Sequence, residues 1–233
     1  GGPIASISFR EREIEGEKFF EAFARLDETT TGFRSENGML YGDAHGMGTA
    51  RTKAEAIFKA ISEALERWAW FSATRDPKLH SDLRLDLDSS TTGFAAFPGL
   101  GVQGARKRAH FEASERWALS AWWEGKTTHK GITIPDQEGI ELKTGIPGTA
   151  VVILWKNFSN LRAYGFAASF SARAAAEKAV VELRRNIEAL KHFQDNAEAI
   201  NTEELSLTEK RLRFFAETKG RELFNQRLAH QGN

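Results

Sequence analysis

Short apolar runs separated by turn residues predict the strands of this chain. Three runs lie near its start, at residues 4–9, 19–26 and 39–41, although helix propensity around residues 17–26 leaves a helix open there. Two longer runs, at residues 151–155 and 161–170, flank a polar turn and are apolar enough for the centre of a sheet. Shorter strands are predicted at residues 92–97 and within residues 127–148.

Apolar positions that recur every 3.6 residues predict the helices. In the first, over residues 52–71, the apolar stripe runs through Ile57, Ile61, Ala64, Trp68 and Phe71. Two more are predicted over residues 103–123 and 172–196, and an amphipathic helix over residues 203–230 is expected to dock on the rest. No linker interrupts this pattern. The sequence therefore predicts an α+β fold in one compact domain, residues 1–233, with strand–helix pseudo-repeats, a mostly antiparallel sheet and three to four long helices.

A repeated acidic motif lies on the first two long helices. Residues 63–69 read Glu-Ala-Leu-Glu-Arg-Trp-Ala and residues 112–118 read Glu-Ala-Ser-Glu-Arg-Trp-Ala, so six of seven positions are identical at an offset of 49. Glycine-rich turns precede both copies, at residues 46–48 and 99–101. A degenerate third copy joins a strand over residues 165–170 to a helix that carries Glu182.

Each of the two clear copies places two carboxylates and a guanidinium close together on a helix, because residues three and four positions apart are neighbours on its surface. If the carboxylates converge, cations must relieve their repulsion, and Mg2+ held by a few carboxylates and nucleotide phosphates meets that requirement. The alternative is a structural protein on which these residues form only exposed salt bridges. The residues concerned are Glu63, Glu66 and Arg67 in the first copy and Glu112, Glu115 and Arg116 in the second.

Basic residues stand four positions before the leading acid of all three copies, at Lys59, Arg108 and Lys178. A base N-terminal to its acid is the weaker orientation for stabilising a helix. Optimisation of surface charge pairs would not favour this order three times, so the spacing indicates a functional role.

The composition excludes several classes of site and partner. The chain has 233 residues, with 32 Lys and Arg, 32 Asp and Glu, and no Cys, so disulfides, thiolate metal sites and cysteine nucleophiles are excluded. A net charge of zero gives no general attraction for nucleic acid or acidic membranes. Without a long apolar segment or a signal sequence, a cytoplasmic protein is expected. The apolar stripe near the C-terminus leaves a homo-oligomer open.

The glycine turn, the two Glu-x-x-Glu-Arg helices and the third helix with its Lys-x-x-x-Glu spacing resemble the YcaO-domain family, with residues 42–190 as the core of the resemblance. The resemblance implies an ATP-binding fold in which helix glutamates hold magnesium ions around the triphosphate. It also implies activation of a peptide backbone amide by phosphorylation, in azoline- or thioamide-type modification, with a partner protein. The expected magnesium ligands are Glu63, Glu66, Glu112 and Glu115, and the expected nucleotide-binding residues are Arg67, Arg116, Lys178, Glu182, Gly46 and Gly48.

Departures from the family pattern leave a second interpretation open. Met47 stands where the family usually has lysine, Lys59 where it commonly has serine, and Arg185 and Ile187 where it usually has Gln and Arg. The N-terminal segment and the Pro-rich C-terminal tail of longer members are expected to be missing. On this interpretation the chain is a degenerate, non-catalytic binding or scaffold subunit. The sequence assigns no catalytic residue.

Overall fold

The computed structural model describes residues 2–14, 16–32, 45–82, 101–134, 137–196, 203, 205 and 207–230. The chain divides into two compact units. Unit 1 comprises residues 1–37 and 43–110, and unit 2 comprises residues 38–42 and 111–233. Each unit has its own sheet and its own core. The expectation of a single domain stays a prediction.

Unit 1 is a three-stranded antiparallel sheet with one long helix on its face. The helix begins after Thr52, whose hydroxyl accepts a hydrogen bond from the Glu55 N–H. Small side chains allow the helix to lie close to the sheet: Ala56, Ala60 and Ala64 face Ala22, Ala24 and Leu26. The elements of this unit are β1 (Ile4–Ile14), β2 (Glu17–Leu26), α1 (Glu28–Thr31), β3 (Gly46–Ala50), α2 (Lys53–Arg75) and α3 (Pro77–Asp82), and the strands lie in the order β1-β2-β3.

Unit 2 is a four-stranded antiparallel sheet with a core on each face. Alternate residues of its two central apolar runs point to opposite sides, so Val152 and Leu154 enter one core and Val151 and Ile153 enter the other. The strands, in spatial order, are β4 (His129–Ile134), β5 (Gln137–Leu142), β6 (Ala150–Phe158) and β7 (Leu161–Ser169).

Helices cover both faces of this sheet. The helix α5 (Ala172–Asp195) packs on one face, together with the end of α6 (Leu207–Ala216). On the other face, Ala118 and Trp122 of α4 (Gly101–Trp123) meet Phe224 of α7 (Thr218–Ala229). None of the described helices is long and apolar enough to cross a membrane.

The C-terminal segment forms two helices where the sequence predicts one. Between α6 and α7, Glu217 adopts an extended conformation and serves as the N-cap of α7. Gly220 allows the two helices to approach at this turn, because a Cβ there would lie 2.2 Å from the carbonyl oxygen of Phe214. Periodicity alone did not reveal the break, since the apolar stripe continues across it through Ala216 and Phe224, which are both buried.

The predicted fold class, α+β with antiparallel sheets and long helices, is confirmed. Residues 17–26 form a strand and not the alternative helix. The buried stripe of α2 consists of alanines, and Ile57 and Trp68 lie at its margin. The strands predicted at residues 39–41 and 92–97 lie outside the described residues.

Candidate functional site

In unit 1, side chains of α2 cover the free edge of β3. The pairing with β2 leaves backbone groups of Met47 and Thr49 pointing outward. The Met47 N–H donates to Glu63 Oε2 at 2.6 Å, and Lys59 Nζ donates to the Thr49 carbonyl at 3.2 Å. The remaining Glu63 oxygen accepts a hydrogen bond from Arg67 at 2.8 Å. Both oxygens of Glu63 are therefore engaged within the unit.

Gly46 and Gly48 bring β3 against the backbone of α2. A Cβ on Gly46 would lie 2.2 Å from the carbonyl oxygen of Ala60, and one on Gly48 would lie 2.1 Å from that of Ala56. No side chain fits at such distances, so the packing of strand on helix requires both glycines. Their contact with a nucleotide stays a prediction.

In unit 2, α5 covers the edge of β7 in the same way. The Phe166 N–H donates to Glu182 Oε2 at 3.0 Å, and Lys178 Nζ donates to the Ala168 carbonyl at 3.2 Å. A second carboxylate comes from α4, because Glu115 Oε2 accepts from the Ala168 N–H at 2.9 Å. Two outward amides of one strand therefore anchor carboxylates from two different helices.

The pairs β3–α2 and β7–α5 are copies of one another at an offset of 119 residues. In both, a hydroxyl caps the helix, a lysine reaches the strand carbonyl and a glutamate accepts from the strand amide. A Cβ on Gly165 would lie 2.2 Å from the Ala179 carbonyl oxygen, the same close approach that Gly46 makes. The equivalent residues are Gly46 and Gly165, Thr52 and Ser171, Lys59 and Lys178, and Glu63 and Glu182.

Burial makes the two carboxyl groups at the β7 edge hard to ionise. Desolvation, with a smaller contribution from the charge of Glu182, raises the pKa of Glu115 to about 8, although Arg116 and the amide hydrogen bond act in the opposite direction. Desolvation likewise raises the pKa of Glu182 to about 7, against its amide hydrogen bond, Arg185 and Arg116. Both residues keep partial contact with solvent. A cation placed between them would favour the ionised forms.

One oxygen of each of these carboxyl groups has no hydrogen bond within the described part of the chain. Glu115 and Glu182 each accept one bond, and both do so through Oε2. Across the described ranges, no three acidic or histidine side chains lie close enough to hold a metal ion by themselves. Mg2+ commonly takes one or two protein carboxylates and completes its octahedron with phosphate oxygens and water. The donor set therefore fits a magnesium ion that the protein shares with a phosphate ligand.

The structure gathers several of the predicted site residues around β7. Glu115 and Glu182 meet there, Lys178 binds the strand beside them, and Arg116 acts on both carboxyl groups. The charge of Glu112 also contributes to the raised pKa of Glu115. The other predicted residues belong to unit 1: Glu63 and Arg67 form an ion pair of 2.8 Å, and Glu66 lies half-buried one turn along α2.

Sequence reasoning missed the backbone groups of this site. The amides of Phe166 and Ala168 fix the carboxylates, and Asn186 Nδ2 donates to the Tyr164 carbonyl at 2.8 Å on the same edge. The available signal was the match between the first and third strand–helix pairs, which aligns the Lys-x-x-x-Glu spacing of α2 with that of α5. Residues 63–69 and 112–118 are more alike in sequence than the first and third pairs, although the first and third pairs share the same contacts.

No protein-family model matches this chain, and no curated protein matches it in sequence. Among solved structures the chain is similar to YcaO from Methanopyrus kandleri bound with AMPPCP and Mg2+, with a TM-score of 0.54 and 14% sequence identity. The likeness covers 98% of this chain and 69% of that one. At this level of identity it shows the fold alone, and the fold of the present chain is YcaO-like.

Proposed function

We propose that this chain binds ATP together with magnesium. The observation that carries the proposal is the pair of desolvated carboxyl groups, Glu115 and Glu182, held at one strand edge, each with one oxygen that no described residue hydrogen-bonds. The YcaO-like fold supports it, because the similar protein is described as bound to AMPPCP and Mg2+. From the sequence, Glu63, Glu66, Glu112 and Glu115 are proposed as magnesium ligands, and Arg67, Arg116, Lys178, Glu182, Gly46 and Gly48 as nucleotide contacts. The geometry at the β7 edge adds Glu182 to the proposed magnesium ligands, beside Glu115.

The chain prepares this site by fixing its acids before any cation arrives. The strand amides hold the carboxyl groups of Glu115 and Glu182 through one oxygen, so the other oxygen keeps a defined position. A divalent cation would lower both pKa values and release protons as it binds. Arg116, whose charge acts on both acids, would neutralise an outer phosphate oxygen. Bound ATP would supply the phosphoryl group and Mg2+ would offset its charge.

Isothermal titration with Mg-AMPPCP tests this proposal. Glu115→Gln and Glu182→Gln keep an acceptor for the strand amide but remove the charge, so affinity is expected to fall about tenfold or more, in line with the loss of a charged ligand. Glu177→Gln is the matched control, because Glu177 lies on the same helix as Glu182 and, among the described residues, forms its ion pair with exposed Arg173. Equal affinity of all four proteins would exclude the proposed site.

We further propose that the bound ATP activates a backbone amide of a peptide, together with a partner protein. This step rests on the family resemblance in sequence and on the YcaO-like fold. Peptide-dependent release of phosphate from ATP, measured with and without candidate partners, tests it. Release that requires both peptide and Mg2+, and that Glu115→Gln abolishes, is the expected result.

The alternative proposal is a non-catalytic, nucleotide-binding scaffold, and one feature of unit 1 favours it. One oxygen of Glu63 accepts a hydrogen bond from the Met47 amide and the other accepts one from Arg67, so Glu63 is less available to a metal than Glu115 or Glu182. Met47 also replaces the lysine usual in the family. Binding of Mg-AMPPCP without phosphate release, under every peptide and partner condition, is the result expected of this alternative.

A further inference from the structure

The outer edge of β1 is an open strand edge. β1 pairs with β2 up to Ile14 and Glu17, which close a two-residue loop. The closing pair of such a hairpin is hydrogen-bonded and the pairs then alternate, so every second residue of β1 directs its backbone groups away from β2. These outward residues are Ile7, Phe9, Glu11 and Glu13. Within the described residues, no strand and no side chain hydrogen-bonds to the outward backbone groups of these four residues, and Lys18 pairs with the side chain of Glu11.

This open edge contrasts with the edges of β3 and β7. At β3, Glu63 and Lys59 occupy the outward amide and carbonyl, and at β7 the corresponding groups are held by Glu182, Glu115 and Lys178. Neither of those edges can accept a further strand without losing these bonds. β1 can, and its 11 residues are enough for a peptide to form a ladder of several hydrogen bonds.

Two arginines are held in place on one face of this edge. Glu21 of β2, whose side chain is 6% exposed, accepts a hydrogen bond from Arg10 Nε at 2.7 Å, and Arg12 Nε forms an ion pair with the same oxygen at 3.3 Å. The Arg10 guanidinium also lies 5.1 Å from the centre of the Phe23 ring. Each arginine contributes only its Nε to Glu21, so the terminal nitrogens remain for an external anion. The cluster carries a net charge of +1 at two positions of β1 that point to the same side.

On the opposite face of the same edge, two exposed apolar residues, Ile7 and Phe9, are followed by Glu11 and Glu13, and Lys53 Nζ lies 3.4 Å from the centre of the Phe9 ring. Ile7 and Phe9 are 41% and 45% exposed, although both are large hydrophobic residues. An added strand would alternate with the same period as β1, so its residues would lie in turn beside the arginines and beside the apolar pair. A peptide that fits this edge therefore carries acidic residues beside Arg10 and Arg12, alternating with apolar residues of which those beside Ile7 and Phe9 make apolar contacts.

We propose that the β1 edge binds an extended peptide segment in which acidic and apolar residues alternate, and that the peptide adds to the sheet as a fourth strand. Backbone hydrogen bonds to the outward groups of β1 hold the strand, and Arg10 and Arg12 select the acidic side chains. This proposal goes beyond the nucleotide site and does not depend on it.

Fluorescence anisotropy with a labelled octapeptide of alternating Val and Asp tests the proposal. The wild type is expected to bind it about tenfold or more tightly than the same peptide with Asn in place of Asp, because charge-assisted bonds to two arginines are lost. The affinity of the double variant Arg10→Gln, Arg12→Gln for the Asp peptide is expected to be lower than that of the wild type by a similar factor. Equal affinity for the Asp and Asn peptides would overturn the proposal.

A proline substitution separates strand addition from simple charge attraction. Glu11→Pro removes an outward N–H without removing a bond to β2, whereas Glu11→Ala keeps that N–H. We expect Glu11→Pro to bind the Asp peptide about fivefold or more weakly than Glu11→Ala does. Equal binding by the two variants would contradict strand addition. A concentration-dependent dimer of the wild type in sedimentation velocity, absent in Glu11→Pro, would also overturn the proposal, because a second copy would then occupy the edge. The same variants are expected to bind Mg-AMPPCP as the wild type does, which distinguishes a failure of this proposal from a failure of the proposed nucleotide site.

Discussion

The substitution Glu115→Gln is expected to stabilise the protein at slightly alkaline pH. Gln keeps an oxygen that accepts from the Ala168 N–H but cannot ionise. In the wild type the pKa of Glu115 is raised to about 8, mainly by desolvation, so between pH 4.5 and about 8 the folded chain retains a proton that the unfolded chain has lost. The folded state binds more protons in this interval, and the free energy of unfolding therefore falls as the pH rises.

The size of this effect follows from the interval between the two pKa values of Glu115. A pKa raised from 4.5 to about 8 corresponds to an upper limit of about 5 kcal/mol, at about 1.4 kcal/mol per pH unit. Because the side chain keeps partial contact with solvent and interacts with Glu182, about half of that limit is a realistic expectation. The difference in unfolding free energy between Glu115→Gln and the wild type should thus grow by about 2 kcal/mol from acidic to alkaline pH.

Urea unfolding followed by tryptophan fluorescence measures this difference, in buffers from about pH 5 to about pH 8.5 without divalent cations. Glu177→Gln is the control, since its exposed side chain on α5 removes one negative charge without touching the pair. If Glu115→Gln and the wild type lose stability in parallel across this range, the carboxyl pair is not the desolvated site described above. A more stable variant that no longer binds Mg-AMPPCP would show that the chain keeps an unfavourable acid for its function.

Three further substitutions test the packing and the asymmetry of the two units. Gly165→Ala should lower the free energy of unfolding by about 2 kcal/mol or more, because the new Cβ would lie 2.2 Å from the Ala179 carbonyl oxygen. In the control Gly131→Ala, the new Cβ has nothing within 4 Å, and the free energy of unfolding should change by less than about 1 kcal/mol. Arg227→Met should lower the free energy of unfolding by about 2 to 4 kcal/mol in the same urea assay, because buried Arg227 donates to the carbonyls of Trp122, Thr127 and His230. The control Arg173→Met replaces an exposed side chain and should leave the free energy of unfolding nearly unchanged. Asn186→Arg should weaken Mg-AMPPCP binding about fivefold or more in calorimetry, because an arginine at the position equivalent to Arg67 would pair with the second oxygen of Glu182. Unchanged affinity would contradict the proposal that this oxygen binds magnesium.

Much of the fold could be predicted from periodicity, and the limits of that prediction have physical causes. The strands β6 and β7 and the helices α2, α4 and α5 follow from apolar spacing because each buries a regular face. The break at Glu217 could not be found in this way, because it depends on the approach of Gly220 to the Phe214 carbonyl, a contact between residues that share one continuous stripe. The spacing of charged residues predicted a functional role for Lys178 and Glu182. It did not predict that both side chains hydrogen-bond to backbone groups of β7.

The order of base and acid on these helices has a structural explanation that helix energetics alone does not provide. Lys59 and Lys178 do not serve mainly as partners for the glutamates four positions later, because each lysine reaches a strand carbonyl while the glutamate accepts from an amide of the same strand. Closing a strand edge in this way protects it from pairing with other chains.

The two copies of this arrangement differ at the position of Arg67, which Asn186 occupies in unit 2. In unit 1, Arg67 occupies the second oxygen of its glutamate, so the cap is complete. In unit 2, Asn186 turns instead to the Tyr164 carbonyl, and one oxygen of Glu182, beside Glu115, accepts no hydrogen bond from any residue that the structure describes. A structural device that closes a sheet edge thus becomes a candidate cation site where one guanidinium is absent and a second carboxylate is added. This is why the proposed magnesium chemistry rests more firmly on α4 and α5 than on α2.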